Sequence, residues 1–242
     1  MRTTRRTIAV LLAATALAAC AKKENAPASG DSAVSAAPVV AAADSAGTPL
    51  LDSALTQWRP WKSTAVQTGW SYADGVLTKT DNASDLQSAQ QYGNFELQFD
   101  WMLAEGGNAG VFYRVTEEYD KPYWTGPEYQ LLDDARHPDA KDTTRRAASA
   151  YALYAARSGV VKPATQWNAA RIVVNGDHVE HWLNGEKVVE YDLKSTDWAA
   201  KVKASKFVEY PRYGLASRGY LSIQGDHEGQ LSIRGMRIRE LP

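Results

Sequence analysis

The stretch Gly126-Pro127-Glu128-Tyr129-Gln130-Leu131-Leu132-Asp133-Asp134 carries the most informative chemistry in the chain. Period-two alternation puts Glu128, Gln130 and Leu132 on one face of a strand, with Tyr129 and Leu131 on the other. Tyr129 and Leu131 suit a core, so Glu128 and Gln130 face either open solvent or the floor of a groove. A two-carboxylate glycosidase needs its acids about 5–5.5 Å apart for retention, and further apart for inversion. Glu128 and Asp133 point to opposite faces of a regular strand, and only a bulge would pair them. The pattern therefore offers one carboxylate with an amide beside it. His178-x-x-His181 suggests a metal pair, but an odd spacing on a strand sends the two rings to opposite faces, so no metal is expected there. The chain has no Gly-x-Ser-x-Gly elbow, no phosphate-binding glycine-rich loop and no zinc-type Cys/His cluster.

The elements that must position these residues read as strands. Phe95 to Trp101 alternates strictly, with Phe95, Leu97, Phe99 and Trp101 on one face. Gly106-Gly107-Asn108 reads as a turn before a strand over Val111 to Val115. Ala170 to Val174, Asn175-Gly176 and Val179 to Leu183 read as a hairpin whose turn favours positive φ. Asn184-Gly185 extends it to a third strand, Lys187 to Tyr191. Tyr220 to Gln224 and Leu231 to Ile238 close the domain, and Ser195 to Lys201 is the best candidate for a short helix. Many short strands, with no helices to cover a sheet, predict an all-β fold of two antiparallel sheets packed face to face.

The chain has 242 residues, 44% hydrophobic and 23% charged, with 27 Lys and Arg against 28 Asp and Glu. Its mildly acidic balance lacks the basic footprint that phosphate backbones require, so nucleic acid is excluded as a partner. The one cysteine, Cys20, rules out an intramolecular disulfide. Arg2, Arg5 and Arg6 precede an apolar run from Ile8 to Ala19 that is too short for the roughly 20 residues a membrane-spanning helix needs. Leu17-Ala18-Ala19-Cys20 resembles the lipobox of bacterial lipoproteins, which implies cleavage before Cys20 and lipidation of its sulfur. Residues 1–19 are thus expected to be a signal peptide, and residues 20–50, rich in Ala, Ser and Pro, a flexible tether. Ala21, not Asp, follows the cysteine, which points to the outer membrane or a periplasm-facing location. The folded domain is expected over residues 51–242.

Eight motifs in order resemble the 3-keto-disaccharide hydrolase domain family. They are Tyr92-Gly93-Asn94-Phe95-Glu96-Leu97, Gly107-Asn108-Ala109-Gly110-Val111-Phe112-Tyr113-Arg114 and Gly126 to Asp133, followed by Trp167-Asn168, Glu180-His181-Trp182-Leu183-Asn184-Gly185, Ser205-Lys206-Phe207, Gln224-Gly225-Asp226-His227 and Arg237-Ile238. The resemblance implies a concanavalin A-like, laminin-G-like jelly roll. Two positions depart from the pattern. Ile233-Arg234-Gly235-Met236 replaces Phe-Arg-Asn-Ile, a change expected at a strand end. Ala152, where Asp is common, follows Tyr151.

The resemblance also implies a substrate already oxidised to a ketone at C3, with no cofactor needed by the hydrolase itself. The C2 proton is then α to a carbonyl and the glycosidic oxygen is β to it. Proton abstraction, loss of the C1 leaving group and addition of water would give net hydrolysis, with lyase or hydratase partial reactions. Such a path asks for a base, donors to the enolate oxygen and a proton donor to the leaving oxygen. On this reading Glu128 is base or leaving-group acid, and His181 or His227 takes the complementary role. Arg114 and Lys206 stabilise the enolate, while Asn108, Gln130, Tyr151 and Gln224 bind hydroxyls. A noncatalytic carbohydrate-binding module, a structural envelope lipoprotein and a conventional two-carboxylate glycosidase are the competing classes.

Overall fold

A computed structural model describes residues 47–65, 67–80 and 83–242. The expected leader, the lipidation site Cys20 and nearly all of the expected tether lie outside the described residues. The described strands, in chain order, are β1 (Thr48–Pro49), β2 (Trp58–Pro60), β3 (Trp70–Ala73), β4 (Val76–Lys79), β5 (Leu86–Tyr92), β6 (Phe95–Leu103) and β7 (Asn108–Val115). They continue with β8 (Glu128–Leu132), β9 (Asn168–Asn175), β10 (His178–Leu183), β11 (Glu186–Asp192), β12 (Gly219–Ile223) and β13 (Leu231–Glu240). The helix is α1, Thr196–Lys203; the Ser195 side chain caps it by accepting from Trp198 N–H.

These strands form two antiparallel sheets. One runs β11-β10-β9-β6-β13-β4-β3, with β1 also on β13, and the other runs β2-β5-β12-β7-β8. The strict alternation of β6 buries Phe95, Leu97, Phe99, Trp101 and Leu103. Across the gap, Val111 and Tyr113 of β7 and Tyr129 and Leu131 of β8 are buried too. The Phe99 and Tyr129 rings meet edge-on, centroids 6.0 Å apart, and so join the two sheets. The fold is the concanavalin A-like jelly-roll sandwich.

Local chemistry refines several boundaries. Asn108 opens β7, where the sequence suggested a turn residue. Asn175 is the last residue of β9 and pairs with His178, so the tight turn is Gly176-Asp177, with Gly176 at φ +62. The next hairpin follows the sequence reading: Asn184 and Gly185 both take positive φ, +49 and +87, as the favoured two-residue turn requires. Ile233-Arg234-Gly235-Met236 lies inside β13 and not at a strand end. There the register shifts between Arg234 and Arg237, with Gly235 at φ +60. This bulge lets β13 pair first with β4 and then with β1 along the same edge.

Candidate active site

A cavity of about 240 Å³ opens on the outer face of the five-stranded sheet. Its lining includes Glu128 and Gln130 of β8, Asn108 of β7 and Gln224 just past β12. Tyr151, Lys206 and His227 complete the set that the sequence placed together. The alternation of β8 explains the floor: Tyr129 turns inward, its hydroxyl donating to Trp182 O at 2.9 Å, while Glu128 and Gln130 turn outward.

Glu128 is only 7% exposed although it lies on the outer face. Its carboxyl sits over Gly110: a Cβ on that residue would approach Glu128 Cδ to 2.8 Å and Cγ to 2.9 Å. The glycine in Gly107-Asn108-Ala109-Gly110 therefore makes room for the acid. Among the described residues no donor lies within hydrogen-bonding distance of that carboxyl. Burial pushes it up to about 8; Lys206 pulls the other way, and Asp226, Asp85 and Asp139 push it further up.

One side of the cavity, with Asp139 and Tyr151, is the segment between β8 and β9, stitched to β8 like an extra strand. Ala148 N–H donates to Gln130 O at 2.8 Å, Gln130 N–H to Ser149 O at 3.2 Å, and Tyr151 N–H to Glu128 O at 3.2 Å. Asp134 accepts from Ala147 N–H, and Arg146 donates to Ala140 O. Tyr151 is followed by Ala152 at φ +60, a conformation that Asp adopts more readily than Ala. The Tyr151 hydroxyl lies 3.5 Å from Asp139, and burial pushes it up to about 12. The Lys206 ammonium lies 4.6 Å from the Tyr151 ring centroid and 5.6 Å from that of Tyr123. Burial lowers its pKa, opposed by Glu128.

On the opposite side, the turn after β12 brings Gln224, Asp226 and His227. Buried Lys79 holds this turn by donating to the carbonyls of His227 and Gly225. Asp85 accepts from Gly225 N–H, and Asp226 pairs with Lys121 at 3.1 Å. His227 stands at the exposed rim, its imidazole held below the usual range by partial burial, with Asp226 opposing and Lys79 adding. Gln130 Nε2 and Oε1 and Gln224 Oε1 are buried without a partner among the described residues. An unpaired buried polar atom costs about 1–3 kcal/mol. Three of them around one cavity suit a polyhydroxylated ligand whose hydroxyls would pair with them.

Two residues expected in the site lie elsewhere. His181 is fully buried on the inward face of β10, whereas His178 is turned to the outer face. Its Nε2 lies 3.0 Å from the Tyr113 hydroxyl, which also contacts Tyr191, and its Nδ1 lies 2.9 Å from Ala148 O. Burial holds it down to about 4, so it is a neutral bridge beneath the Ala148–Tyr151 segment and never reaches the cavity. Arg114 is 3% exposed, at φ +52, beside a register shift between β12 and β7. This break in alternation sends its guanidinium to Gly93 O at 3.1 Å and Gly176 O at 2.7 Å, where it ties turns together. Asp133 does not pair with Glu128 either; it accepts from Gly106 and Ala135 N–H.

Tyr123, Asp139 and Asp226 line the cavity without having been singled out. Asp226 sits within Gln224-Gly225-Asp226-His227, so its motif was visible; Asp139 and Tyr123 lie in single 3-10 turns too short to show periodicity. Away from the cavity, His178, Glu180 and Glu190 converge on the outer face of β10 and β11, but Lys187 Nζ already lies 3.0 Å from Glu180 and 2.6 Å from Glu190.

Residues 47–239 match the family described as the 3-keto-alpha-glucoside-1,2-lyase-like domain. A protein of Bacteroides thetaiotaomicron named 3-keto-disaccharide hydrolase is 32% identical over 217 residues, spanning 76% of this chain and 74% of the relative. A candidate glycosyl hydrolase crystallised from Parabacteroides distasonis superposes with TM-score 0.72 at 30% identity, over 78% of this chain and 90% of that one. A second from the same organism gives 0.65 at 26% identity, over 80% and 98%. On the match of its whole β-sandwich and on the identity with that relative, the chain belongs to the 3-keto-alpha-glucoside-1,2-lyase-like domain family.

Proposed function

We propose that this protein hydrolyses the glycosidic bond of 3-keto-disaccharides or 3-keto-glycosides by elimination and rehydration. Family membership and the relative named 3-keto-disaccharide hydrolase support a glycoside-cleaving enzyme. The observation that carries the finer reading is a carboxyl that burial keeps protonated, sharing one cavity with an imidazole kept neutral. Glu128 is mostly protonated at pH 7, because burial lifts it to about 8, while His227 is shifted toward its neutral form. Two titratable groups pushed apart in this way make an acid and a base.

On this reading neutral His227 takes the C2 proton of the keto sugar. Electrons move toward the C3 oxygen, where the Lys206 ammonium offsets the developing negative charge. The bond from C1 to the leaving oxygen breaks as Glu128 delivers its proton to that oxygen, leaving a C1–C2 double bond conjugated to the ketone. Water then adds at C1, giving one proton to the Glu128 carboxylate, while exposed His227, whose proton exchanges with solvent in the interval, protonates C2. Both groups end as they began, and the net change is hydrolysis. Gln130, Gln224 and Asn108 hold ring hydroxyls, and Tyr151 covers the bound ring.

A conventional two-carboxylate glycosidase is the second reading, favoured by Asp139 and Asp226 sharing the cavity with Glu128. Incubation of a 3-keto-disaccharide and its unoxidised parent in deuterated water separates the two. Elimination predicts cleavage of the keto sugar with deuterium at C2 of the product, and no turnover of the parent. Cleavage of the parent at a comparable rate, or of the keto sugar without label at C2, would overturn it. We also propose that the domain is presented at the cell envelope by lipidated Cys20; Cys20→Ser should move the protein from the detergent phase to the aqueous phase on phase partitioning.

A further inference from the structure

Beside the cavity, Pro122–Trp124 forms a 3-10 turn in which Pro122 is buried while Tyr123 and Trp124 are half-buried. Trp124 stacks on Tyr210, with centroids 5.4 Å apart and planes at 17°. Tyr119 meets Trp124 edge-on at 6.0 Å, and Tyr123 meets Tyr210 at 6.2 Å. The four rings make a continuous wall: Tyr123 lines the cavity, and ring contacts continue from it through Trp124 to Tyr119 and Tyr210. Polar ties hold the wall in place: Trp61 Nε1 donates to Asp120 O at 3.0 Å, Lys121 pairs with Asp226, and Arg212 pairs with Glu118 at 3.0 Å. All four rings are half-buried, and Tyr123 makes no stacked contact among the described residues.

The cavity itself, about 240 Å³, is smaller than the roughly 300 Å³ at which pockets begin to enclose larger ligands. It suits one sugar ring, so the other half of a disaccharide must lie beyond its mouth. We propose that the Tyr123–Trp124 wall is a leaving-group subsite, which takes aglycones with a flat apolar face: an aryl group or the C–H face of a second pyranose. The proposal rests on reading the cavity as the place where the glycosidic bond is cleaved. Lys206 lies over both Tyr123 and Tyr151, at the boundary between the cavity and the wall.

The test separates the subsite from the reaction. Calorimetric titration with unoxidised 4-nitrophenyl glucoside and methyl glucoside reads the subsite without turnover. The wild-type protein should bind the aryl glucoside about tenfold more tightly, the size expected for one added aromatic contact with its buried area. Tyr123→Ala should collapse that ratio toward one, and Tyr123→Phe should keep it; circular dichroism would confirm that both variants fold. Equal affinities in the wild type, or a ratio that survives in Tyr123→Ala, would overturn the subsite whatever the catalytic result. The corresponding methyl and 4-nitrophenyl 3-keto-glucosides then read the reaction. No turnover of either by the wild type would overturn the hydrolase reading, while an intact binding ratio would still support the aryl-accepting wall.

Discussion

Replacing Glu128 by Gln removes one ionisable group while keeping the shape of the protonated acid. In the folded chain burial moves this carboxyl from 4.5 to about 8, against the pull of Lys206. At about 1.4 kcal/mol per pH unit, a change of that size corresponds to roughly 5 kcal/mol. The sign follows from which state ionises first. Below pH 4.5 the carboxyl is neutral in both folded and unfolded chains, and the wild-type protein pays no penalty. Between pH 4.5 and 8 only the unfolded chain ionises, so wild-type stability falls as pH rises; above pH 8 the whole penalty is present. The Gln variant carries none of it. Its stability relative to wild type should therefore rise by up to about 5 kcal/mol between pH 4 and pH 8.5, measured by urea unfolding with tryptophan fluorescence. At pH 7 an ordinary Glu is about 0.3% protonated and Glu128 about 90%, so its acid form is about 300-fold more abundant. Turnover of a 3-keto-disaccharide should fall about 10²–10⁴-fold in the same variant. A stability difference that stays constant with pH would mean that the carboxyl ionises normally, and the proton-donor role would lose its physical basis.

The pH dependence of kcat/KM assigns the roles. The rate should decline as pH rises through about 8, where Glu128 loses its proton, and on the acid side through a pKa below that of an ordinary imidazole, as His227 gains one; a rate that climbs through pH 8 would make Glu128 the base. Gly110→Ala should drive the Glu128 side chain from its seat, lowering turnover more than tenfold for a stability cost of about 1–3 kcal/mol, read from activity and thermal melts of the same preparation. His181→Phe should cost about 1–3 kcal/mol by leaving Ala148 O unpaired, while the Tyr113 hydroxyl keeps Tyr191 as its partner. Because His181 titrates near 4, the variant's pH–rate midpoints should not move; a lost limb in that profile would return His181 to the chemistry.

Alternation is a property of local residue order, so the two-sheet sandwich was legible before any partner strand was known. The β6 pattern and the glycines at turns could be read without knowing their partners, as could the outward pair Glu128 and Gln130. The family resemblance likewise implied Asn108, Tyr151, Lys206, Gln224 and His227 as site residues, and the cavity brings all five together with Glu128 and Gln130. Tertiary structure decided what periodicity cannot encode. Arg114 has the parity of a groove residue, yet a break in register turns it to the Gly93 and Gly176 carbonyls. His181 lies in a motif with polar neighbours, yet Tyr113 of the facing sheet and the Ala148 carbonyl of the segment after β8 satisfy its ring inside the core. Asp139 and Tyr123 reach the cavity from single 3-10 turns, too short for a repeat in the sequence to fix side-chain direction. The acidity of Glu128 is the largest such decision. A carboxyl on the outer face of a strand is ordinarily solvated, and only the wall built by residues beyond β8, closing over the space left by Gly110, withholds the water that would keep it ionised.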